Sequence, residues 1–391
     1  MKNLYSDAEA KKCESDLALR VYTSNLLGAS DELVLHGGGN TSVKSSINDE
    51  DILFVKGSGW DLVSIKEKGF APVKLQTLLE MAQKERLSDS DMVNGQKDAM
   101  IDISAPNPSV EAILHAIIPY KFVDHTHADA VVTISNSKDG LHHIKKVFPN
   151  FLIVPYVMPG FILARTIYEM TKEIDWESID GIILHNHGIF TFDDSAKNSY
   201  IKMIDAVSHA EEFLDKNAEL EFPKNKKCSL VDEVKIKLLI SEVKGQEQFL
   251  HINQTPLAIF YSSQDNLDEF ASRGVLTPEH IIRTKRVPLI LDSMKLEDAL
   301  ELYISEYKNY FQNFCSHETM LNPAPNYIVI KGRGVISFAK SQKEADIIND
   351  IISHTMLAVL RADKLGGYKS ISLKDSFEME YWELEQAKLK K

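Results

Sequence analysis

The chain has 391 residues, of which 44% are hydrophobic and 26% are charged, and its formal net charge at pH 7 is −13. This composition is typical of a globular protein, and the length exceeds that of one ordinary domain, so two domains are expected. The negative charge argues against nucleic acid or an anionic membrane surface as the main partner.

The first sixty residues contain one helical pattern and two glycine-rich turns. Residues 6–27 have helical spacing, residues 33–36 predict a strand, and a triple glycine then leads into a second strand from Asn40. A short strand at 52–55 enters the second turn, Lys56-Gly57-Ser58-Gly59. Backbone N–H groups in such turns can bind a phosphate, although most glycine turns have no ligand. Neither turn is a P-loop or a dinucleotide-binding fingerprint.

A carboxylate suited to acid–base chemistry follows a proline-rich loop. Ser109 is placed to cap a helix over residues 110–118, and Glu111 lies near the start of that helix. In a buried site the pKa of such a carboxyl group can be raised, and the group can then act as acid or base. The alternative is a solvated first-turn glutamate favoured by the helix dipole. His115, four residues later, would contact Glu111 and could orient it.

Two histidine clusters carry the strongest chemical signal. The β-branched run at 130–134 predicts a strand through His125 and His127, and residues two apart on a strand share a face. His187 ends a second apolar run and can supply a third nitrogen, with His185 as the rival ligand. Three imidazoles with one open position suit a catalytic divalent metal. The alternative is that these histidines are bonded to backbone groups only.

Alternating strands and helices with frequent glycine and proline turns favour a mixed sheet with helices on both faces. A polar, lysine-rich segment at 222–229 predicts a boundary, with domains at 1–225 and 226–391.

The C-terminal part contains a partial repeat of the N-terminal part. Residues 182–192 align with residues 328–338 at a constant offset of 146, and each segment precedes a helical pattern. In the second copy Arg333 replaces His187. The C-terminal domain is therefore predicted to be a degenerate half-copy without a metal site. Chance similarity between two short segments is the alternative.

Cysteine usage and the N-terminus predict the compartment. Cys13, Cys228 and Cys315 are scattered and have no CxxC spacing, so neither a disulfide framework nor a cysteine zinc site is indicated. No apolar run has the length of a signal-peptide core or a membrane span. A reducing cytoplasm is the expected location.

Five motifs in order, Gly-Gly-Asn-Thr-Ser, Lys-Gly-Ser-Gly, Pro-Ser-Val-Glu, His-Thr-His and His-Gly, resemble the class II aldolase/adducin family over residues 17–214. More specifically, the chain resembles the aldolase portion of bifunctional rhamnulose-1-phosphate aldolase/alcohol dehydrogenase proteins. That likeness extends through residues 276–280 to residues 380–385. The dehydrogenase half of such proteins would follow and is expected to be absent here.

The resemblance implies a three-layer α/β/α domain around a mixed, largely antiparallel sheet, with a smaller C-terminal α/β domain, commonly assembled as a homotetramer. It implies that His125, His127 and His187 hold Zn²⁺ or another divalent metal, with Glu111 as the acid/base. The implied phosphate pocket comprises Asn40, Ser58, Gly59 and Ser109. The family's phosphate loop often has a second hydroxyl beside the one at Ser109, where this chain has Val110, which weakens the case for a phosphorylated substrate.

The implied activity is that of a metal-dependent lyase in carbohydrate metabolism. Reversible cleavage of a ketose 1-phosphate would give dihydroxyacetone phosphate and an aldehyde through a metal-stabilised enediolate. Two alternatives remain open at this point. One is dehydration or epimerisation of a sugar phosphate at the same site, and the other is a non-enzymatic scaffold like adducin.

Overall fold

The computed structural model describes residues 1–222 and 232–386. The chain forms two compact units. The first comprises Met1–Ser135 and Gly140–Phe213, and the second comprises Asn136–Asp139 and the described residues from Leu214 onward. The predicted boundary between residues 225 and 226 lies outside the described residues, so the division into 1–225 and 226–391 stays a prediction.

The first unit is built on a seven-stranded sheet. Its strands are β1 (Asn40–Ile47), β2 (Glu50–Lys56), β3 (Phe70–Lys74), β4 (Phe122–Thr126), β5 (Phe151–Val154), β6 (Gly181–Leu184) and β7 (Gly188–Asp193). The spatial order is β3-β2-β1-β4-β7-β6-β5, and every neighbouring pair is antiparallel except β5 and β6. The predicted mixed, largely antiparallel sheet is confirmed.

Helices cover both faces of this sheet. They are α1 (Asp7–Ala10), α2 (Asp16–Gly28), α3 (Leu75–Gln83), α4 (Asp89–Asp98), α5 (Ala112–Ile117), α6 (Asp129–Ser135), α7 (Gly140–Val147), α8 (Phe161–Thr171) and α9 (Ala196–Asn217), within which the division between the units falls. Val123 of β4 packs in the large apolar cluster with α3, α5 and α8. Its neighbour Phe122 points to the other face and packs with Leu17 of α2 and Ala196 of α9. The three-layer prediction is therefore confirmed.

The second unit has a four-stranded sheet. Its elements are α10 (Glu233–Lys244), β8 (Phe249–Asn253), α11 (Pro256–Ser262), α12 (Leu267–Ala271), α13 (Ile281–Thr284), β9 (Leu289–Leu291), α14 (Leu296–Phe314), β10 (Tyr327–Ile330), β11 (Gly334–Ala339), α15 (Gln342–Lys364), α16 (Leu373–Glu380) and α17 (Glu383–Gln386). The spatial order is β8-β11-β10-β9, and only β9 and β10 are parallel. A smaller α/β unit at the C-terminal end was expected and is confirmed.

The predicted half-copy is also confirmed. In the first unit β4-β7-β6-β5 are adjacent, and in the second β8-β11-β10-β9 have the same order and directions. Ile182 pairs with Phe190, and Ile328 pairs with Ile336, at the predicted offset of 146. Because pairing registers match residue by residue, chance similarity of two short segments no longer explains the alignment.

Two local strand predictions are wrong. Residues 130–134 belong to helix α6, not to a strand, and His127 follows the end of β4. All five of these residues are buried, so packing outweighs the β propensity of their branched side chains. Residues 33–36 form turns and irregular backbone, and the strand begins only at Asn40.

In the part of the chain that the structure describes, no helix has the length and apolar character needed to cross a membrane.

Candidate metal centre

Three imidazoles converge at one end of β4. His125 is in β4, His127 follows that strand, and His187 lies in the turn between β6 and β7. Because β4 and β7 are antiparallel neighbours, with Thr126 opposite Ile189, the end of β4 meets this turn. One ligand nitrogen from each ring lies within 4.8 Å of the other two. The Nε2 atoms of His125 and His127 are 3.1 Å apart, close to the roughly 3.3 Å between nitrogen ligands of a tetrahedral zinc ion.

The environment of His125 fixes its tautomer. Its Nδ1 donates a hydrogen bond to the carbonyl of Ile189 at 3.1 Å, so its Nε2 carries the lone pair. Burial lowers the pKa of His125 to about 3, although Glu111 acts in the opposite direction. The ring is therefore neutral at pH 7, as a metal ligand must be. Phe190 stacks on it at a centroid distance of 4.0 Å.

Two glycines allow the backbone to approach the histidines closely. A Cβ at Gly188 would lie 2.5 Å from the carbonyl oxygen of Thr126 and 2.9 Å from Cε1 of His125. Gly39 has a φ of +63°, and a Cβ there would lie 2.7 Å from the carbonyl oxygen of His125. The glycines of the motifs Gly-Gly-Asn and His-Gly are therefore required because a side chain at either position would collide with the backbone of the histidine strand β4.

His185, the rival ligand, lies outside this group. Its Nδ1 is 2.5 Å from Oδ1 of Asn186, the next residue. Asn186 has a φ of +61°, which turns the chain sharply between His185 and His187. The structure therefore brings His187, and not His185, to the other two imidazoles.

Glu111 lies beside the three imidazoles, directly before α5. Its backbone N–H donates to Oγ of Ser109 at 3.2 Å. The N-cap residue is Glu111 and not Ser109 as predicted, because the helix begins at Ala112 and not at residue 110. Its Oε2 is 3.5 Å from Nε2 of His125, and its Oε1 is 3.9 Å from Nε2 of His187. A solvated first-turn glutamate is excluded because the side chain is buried.

The pKa of Glu111 differs from the sequence expectation. Burial alone would raise it, but His125, His187 and a hydrogen bond from Asn40 together lower the pKa to about 2. The carboxylate is therefore ionised at neutral pH and present in its basic form.

Three further residues near Glu111 were not recognised as one group from the sequence. Asn40 donates from Nδ2 to Oε2 of Glu111 at 2.5 Å, and its Oδ1 contacts Nε2 of His115. Oγ of Ser42 is 2.8 Å from Nδ1 of His115. His115 thus reaches Glu111 through Asn40 and not directly. The available signal was the period-two polar pattern Asn40, Ser42 and Lys44 on one face of β1.

A buried ion pair lies on the other face of β4. Arg20 and Asp124 are fully buried, with Nη2 and Oδ1 2.5 Å apart, and Ser199 donates to Oδ2 of Asp124 at 2.5 Å. Since Asp124 precedes His125 and points to the opposite face, this pair ties β4 to α2 and α9 beneath the imidazoles. Sequence reasoning missed it because it joins residues far apart in the chain.

Three of the four predicted phosphate-binding residues, Ser58, Gly59 and Ser109, lie on two adjacent loops. The N–H of Ser58 donates to the carbonyl of Asn107 at 2.8 Å, and the N–H of Ser109 donates to the carbonyl of Lys56 at 3.0 Å. Ser58 and Ser109 are partly exposed, and Gly59 is exposed with a φ of +88°. Asn40 points instead to Glu111 and His115. Phosphate binding by these four residues stays a prediction.

Residues 20–214 match the class II aldolase and adducin N-terminal domain, and residues 232–389 match the second domain of class II aldolases. The chain is 40% identical to the N-terminal class II aldolase domain of a conserved protein from Thermoplasma acidophilum. That likeness covers 55% of this chain and 99% of the solved chain, with a TM-score of 0.51. The chain belongs to the class II aldolase/adducin family, as its motifs predicted.

A curated protein of Bacillus subtilis, described as an uncharacterized oxidoreductase, YuxG, is 29% identical over 417 residues. The likeness covers 100% of this chain and 60% of that protein, so the chain spans about three fifths of the length of this relative.

Proposed function

We propose that the protein is a metal-dependent aldolase that reversibly cleaves a ketose 1-phosphate into dihydroxyacetone phosphate and an aldehyde. The observation that carries this proposal is the convergence of three imidazoles next to a buried, ionised carboxylate. In the proposed site His125, His127 and His187 hold Zn²⁺ or another divalent cation. When bound, the cation supplies Lewis-acid stabilisation of negative charge on the substrate oxygens, which contributes several kcal/mol.

The residues of the chain itself have distinct tasks in this proposal. Glu111, in its basic form, moves the proton at the substrate carbon that becomes nucleophilic. The loops that contain Ser58, Gly59 and Ser109 bind the phosphate through backbone N–H groups and hydroxyls. The pairing of the N–H groups of Ser58 and Ser109 with carbonyls leaves the two hydroxyls and the Gly59 N–H for that contact. No lysine Schiff base is required.

The oxidoreductase description belongs to the longer Bacillus subtilis relative. We infer that this chain corresponds to an aldolase portion, because its sequence has no GxGxxG fingerprint for a dinucleotide. Assembly as a homotetramer, a cytoplasmic location and a phosphorylated substrate belong to the same proposal.

The test combines metal analysis with a cleavage screen. Purified protein is assayed with rhamnulose, fuculose and ribulose 1-phosphates before and after chelation and after addition of Zn²⁺, Mn²⁺ or Co²⁺. We expect metal-dependent release of dihydroxyacetone phosphate from at least one ketose. Loss of water with an intact carbon skeleton would indicate a dehydratase, and a configurational change without cleavage would indicate an epimerase. Absence of bound metal and of any conversion would leave the scaffold alternative.

The variant Glu111→Gln separates metal binding from proton transfer. It keeps the size of the side chain but removes the basic carboxylate. We expect normal metal content with turnover reduced by at least a hundredfold. A wild-type rate would eliminate the acid/base role of Glu111.

A further inference from the structure

A line of buried hydrogen bonds joins β1 to Glu111. Oγ of Ser42 lies 2.8 Å from Nδ1 of His115, Nε2 of His115 contacts Oδ1 of Asn40, and Nδ2 of Asn40 donates to Oε2 of Glu111 at 2.5 Å. All four side chains are buried. The contacts depend on the register of β1, because its alternation turns Asn40 and Ser42 to the same face.

The chemistry of these groups fixes the direction of every hydrogen bond. Nδ2 of Asn40 faces Oε2 of Glu111 and can only donate, and Oδ1 of Asn40 faces Nε2 of His115. Oδ1 can only accept, so Nε2 of His115 carries a hydrogen. Burial lowers the pKa of His115 well below its usual value, so the ring is neutral and has no second hydrogen. Nδ1 is then the acceptor and Ser42 the donor. All three hydrogen bonds donate toward Glu111.

This arrangement treats the two oxygens of Glu111 differently. Oε2 accepts from Asn40, whereas the buried Oε1 has no hydrogen-bond partner among the described residues. The two oxygens also face different rings, since Oε2 lies 3.5 Å from Nε2 of His125 and Oε1 lies 3.9 Å from Nε2 of His187. If the amide of Asn40 could rotate freely, it would not keep Nδ2 facing Oε2 of Glu111. The contact of Nε2 of His115 with Oδ1 of Asn40 prevents this rotation.

We propose that Ser42, His115 and Asn40 are positioning residues that hold Oε2 of Glu111 beside His125 and direct Oε1 towards His187, as the oxygen that transfers the proton. The inference rests on the function proposed above. It also gives Asn40 a role other than the phosphate contact that the family resemblance implies, because both ends of its amide are already engaged.

The chain offers a matched control for the far end of this line. Ser24 is as fully buried as Ser42 and also contacts β1, since its Oγ lies 2.8 Å from Oγ1 of Thr41 and donates to the carbonyl of Arg20 at 2.6 Å. Loss of either hydroxyl should lower stability to a similar extent, because each change removes one buried hydroxyl group from its hydrogen bonds. Only Ser42 is connected to Glu111.

The first measurement is kcat and KM for the ketose 1-phosphate that the wild-type protein cleaves. Ser42→Ala should lower kcat about tenfold, as loss of an orienting partner commonly does, whereas Ser24→Ala should leave kcat within twofold. Ser42→Thr keeps a hydroxyl and should restore most of the rate. Equal kcat values for Ser42→Ala and Ser24→Ala would overturn the inference.

Asn40→Ala separates positioning from phosphate binding. A positioning role predicts a kcat about a hundredfold lower with KM within threefold of wild type. A phosphate contact predicts the reverse, a raised KM with an unchanged kcat, and this result would overturn the inference.

A second measurement does not depend on cleavage. In the Co²⁺-loaded protein a carboxylate beside the ligand nitrogens influences the visible absorption bands, so its reorientation should shift them. We expect shifted bands in Asn40→Ala and Ser42→Ala and a wild-type spectrum in Ser24→Ala. If the wild-type protein cleaves no ketose phosphate, the proposed function fails, but this comparison still decides the positioning role. Superimposable spectra for all four proteins would refute it.

Discussion

The two halves of this molecule repeat one framework, but among the residues that the structure describes only the first half has a cluster of metal-type ligands. In each half a strand is followed by a helix, and a tight turn joins two antiparallel strands that lead into a long helix, α9 or α15. Even side-chain contacts recur: Thr191 donates to the carbonyl of Ser199, and Ser337, at the same offset, donates to that of Ala345. Among the described residues of the second unit, no metal-type group of side chains occurs.

Pairing registers identify the residues that replace the imidazoles. Thr126 lies opposite Ile189, and Asn253 lies opposite Val335, which is the equivalent of Ile189. The second unit therefore has Ile252, Gln254 and Arg333 in place of His125, His127 and His187. The framework folds without these histidines, which indicates that the ligands of the first unit are not needed for its architecture.

The largest difference in metal content and cleavage rate is expected between the variants His127→Ala and Gln254→Ala. His127 is half-buried beside His125, and its removal leaves two imidazoles at the site. We expect nearly complete loss of metal by elemental analysis and a fall in cleavage of about a thousandfold, because Lewis-acid stabilisation contributes several kcal/mol. Gln254→Ala, at the equivalent position of the second unit, should keep the metal content and the cleavage rate of the wild-type protein. Full metal content in His127→Ala would contradict the assignment.

The second unit has a buried lysine, Lys285, at the position where the first unit has the aromatic residue Phe148. The two positions are equivalent because each residue follows the end of a helix and donates its backbone N–H to a carbonyl four residues earlier. The acceptor is the carbonyl of Ile281 for Lys285 and that of Ile144 for Phe148. Lys285 has φ +60° and ψ 175°, a conformation costly for any residue except glycine. Its Nζ lies 3.6 Å from Oε1 of Glu380.

Lys285→Met should therefore destabilise the second unit strongly. It would leave the buried carboxylate of Glu380 without its cation, a change that costs about 3–5 kcal/mol. Urea denaturation followed by circular dichroism measures the loss, and the double variant Lys285→Met/Glu380→Gln should recover part of it. Metal content should stay at the wild-type level. A loss below about 1 kcal/mol would mean that this ion pair is not a stabilising feature.

Short motifs made the candidate site predictable to a large extent. His125 and His127 are two residues apart, and His187 precedes a glycine that only a close backbone contact requires, so local spacing was sufficient. The same local reasoning placed residues 130–134 in a strand, because branched side chains favour strands unless burial on all sides selects a helix. Spacing cannot reveal burial of that kind.

Contacts between distant segments could not be predicted in the same way. The role of His115 depends on Asn40 being 75 positions away in sequence but adjacent in the sheet. The lower pKa of Glu111 has the same origin, since it follows from neighbours that only the folded chain brings together. Likewise, nothing in the residues around Lys285 indicates that Glu380 lies beside it.

Alanine variants of the equivalent glycines Gly188 and Gly334 test whether the turn of each half affects stability alone or metal binding as well. A Cβ would lie 2.5 Å from the Thr126 carbonyl at Gly188 and 2.2 Å from the Asn253 carbonyl at Gly334. Each alanine variant should lose about 1–3 kcal/mol of stability, because the backbone must shift. Only Gly188→Ala should also lower metal affinity, measured by competition with a chelator, since its Cβ would press on His125. Equal metal affinity in both variants would contradict this.

The smallest expected effect concerns the repeated hydroxyl contacts. Thr191→Val and Ser337→Ala each remove one buried donor to a helix carbonyl, and the distances are 3.0 and 2.8 Å. We expect each to lower the free energy of unfolding by about 1 kcal/mol without changing metal content. Because both contacts join the strand of a turn to the helix that follows, equal losses would show that the two halves retain one packing requirement after their chemistry diverged. If only Thr191→Val lowered the free energy of unfolding, the contact would instead support the metal centre. The two frameworks would then be equivalent in topology but not in this packing contact.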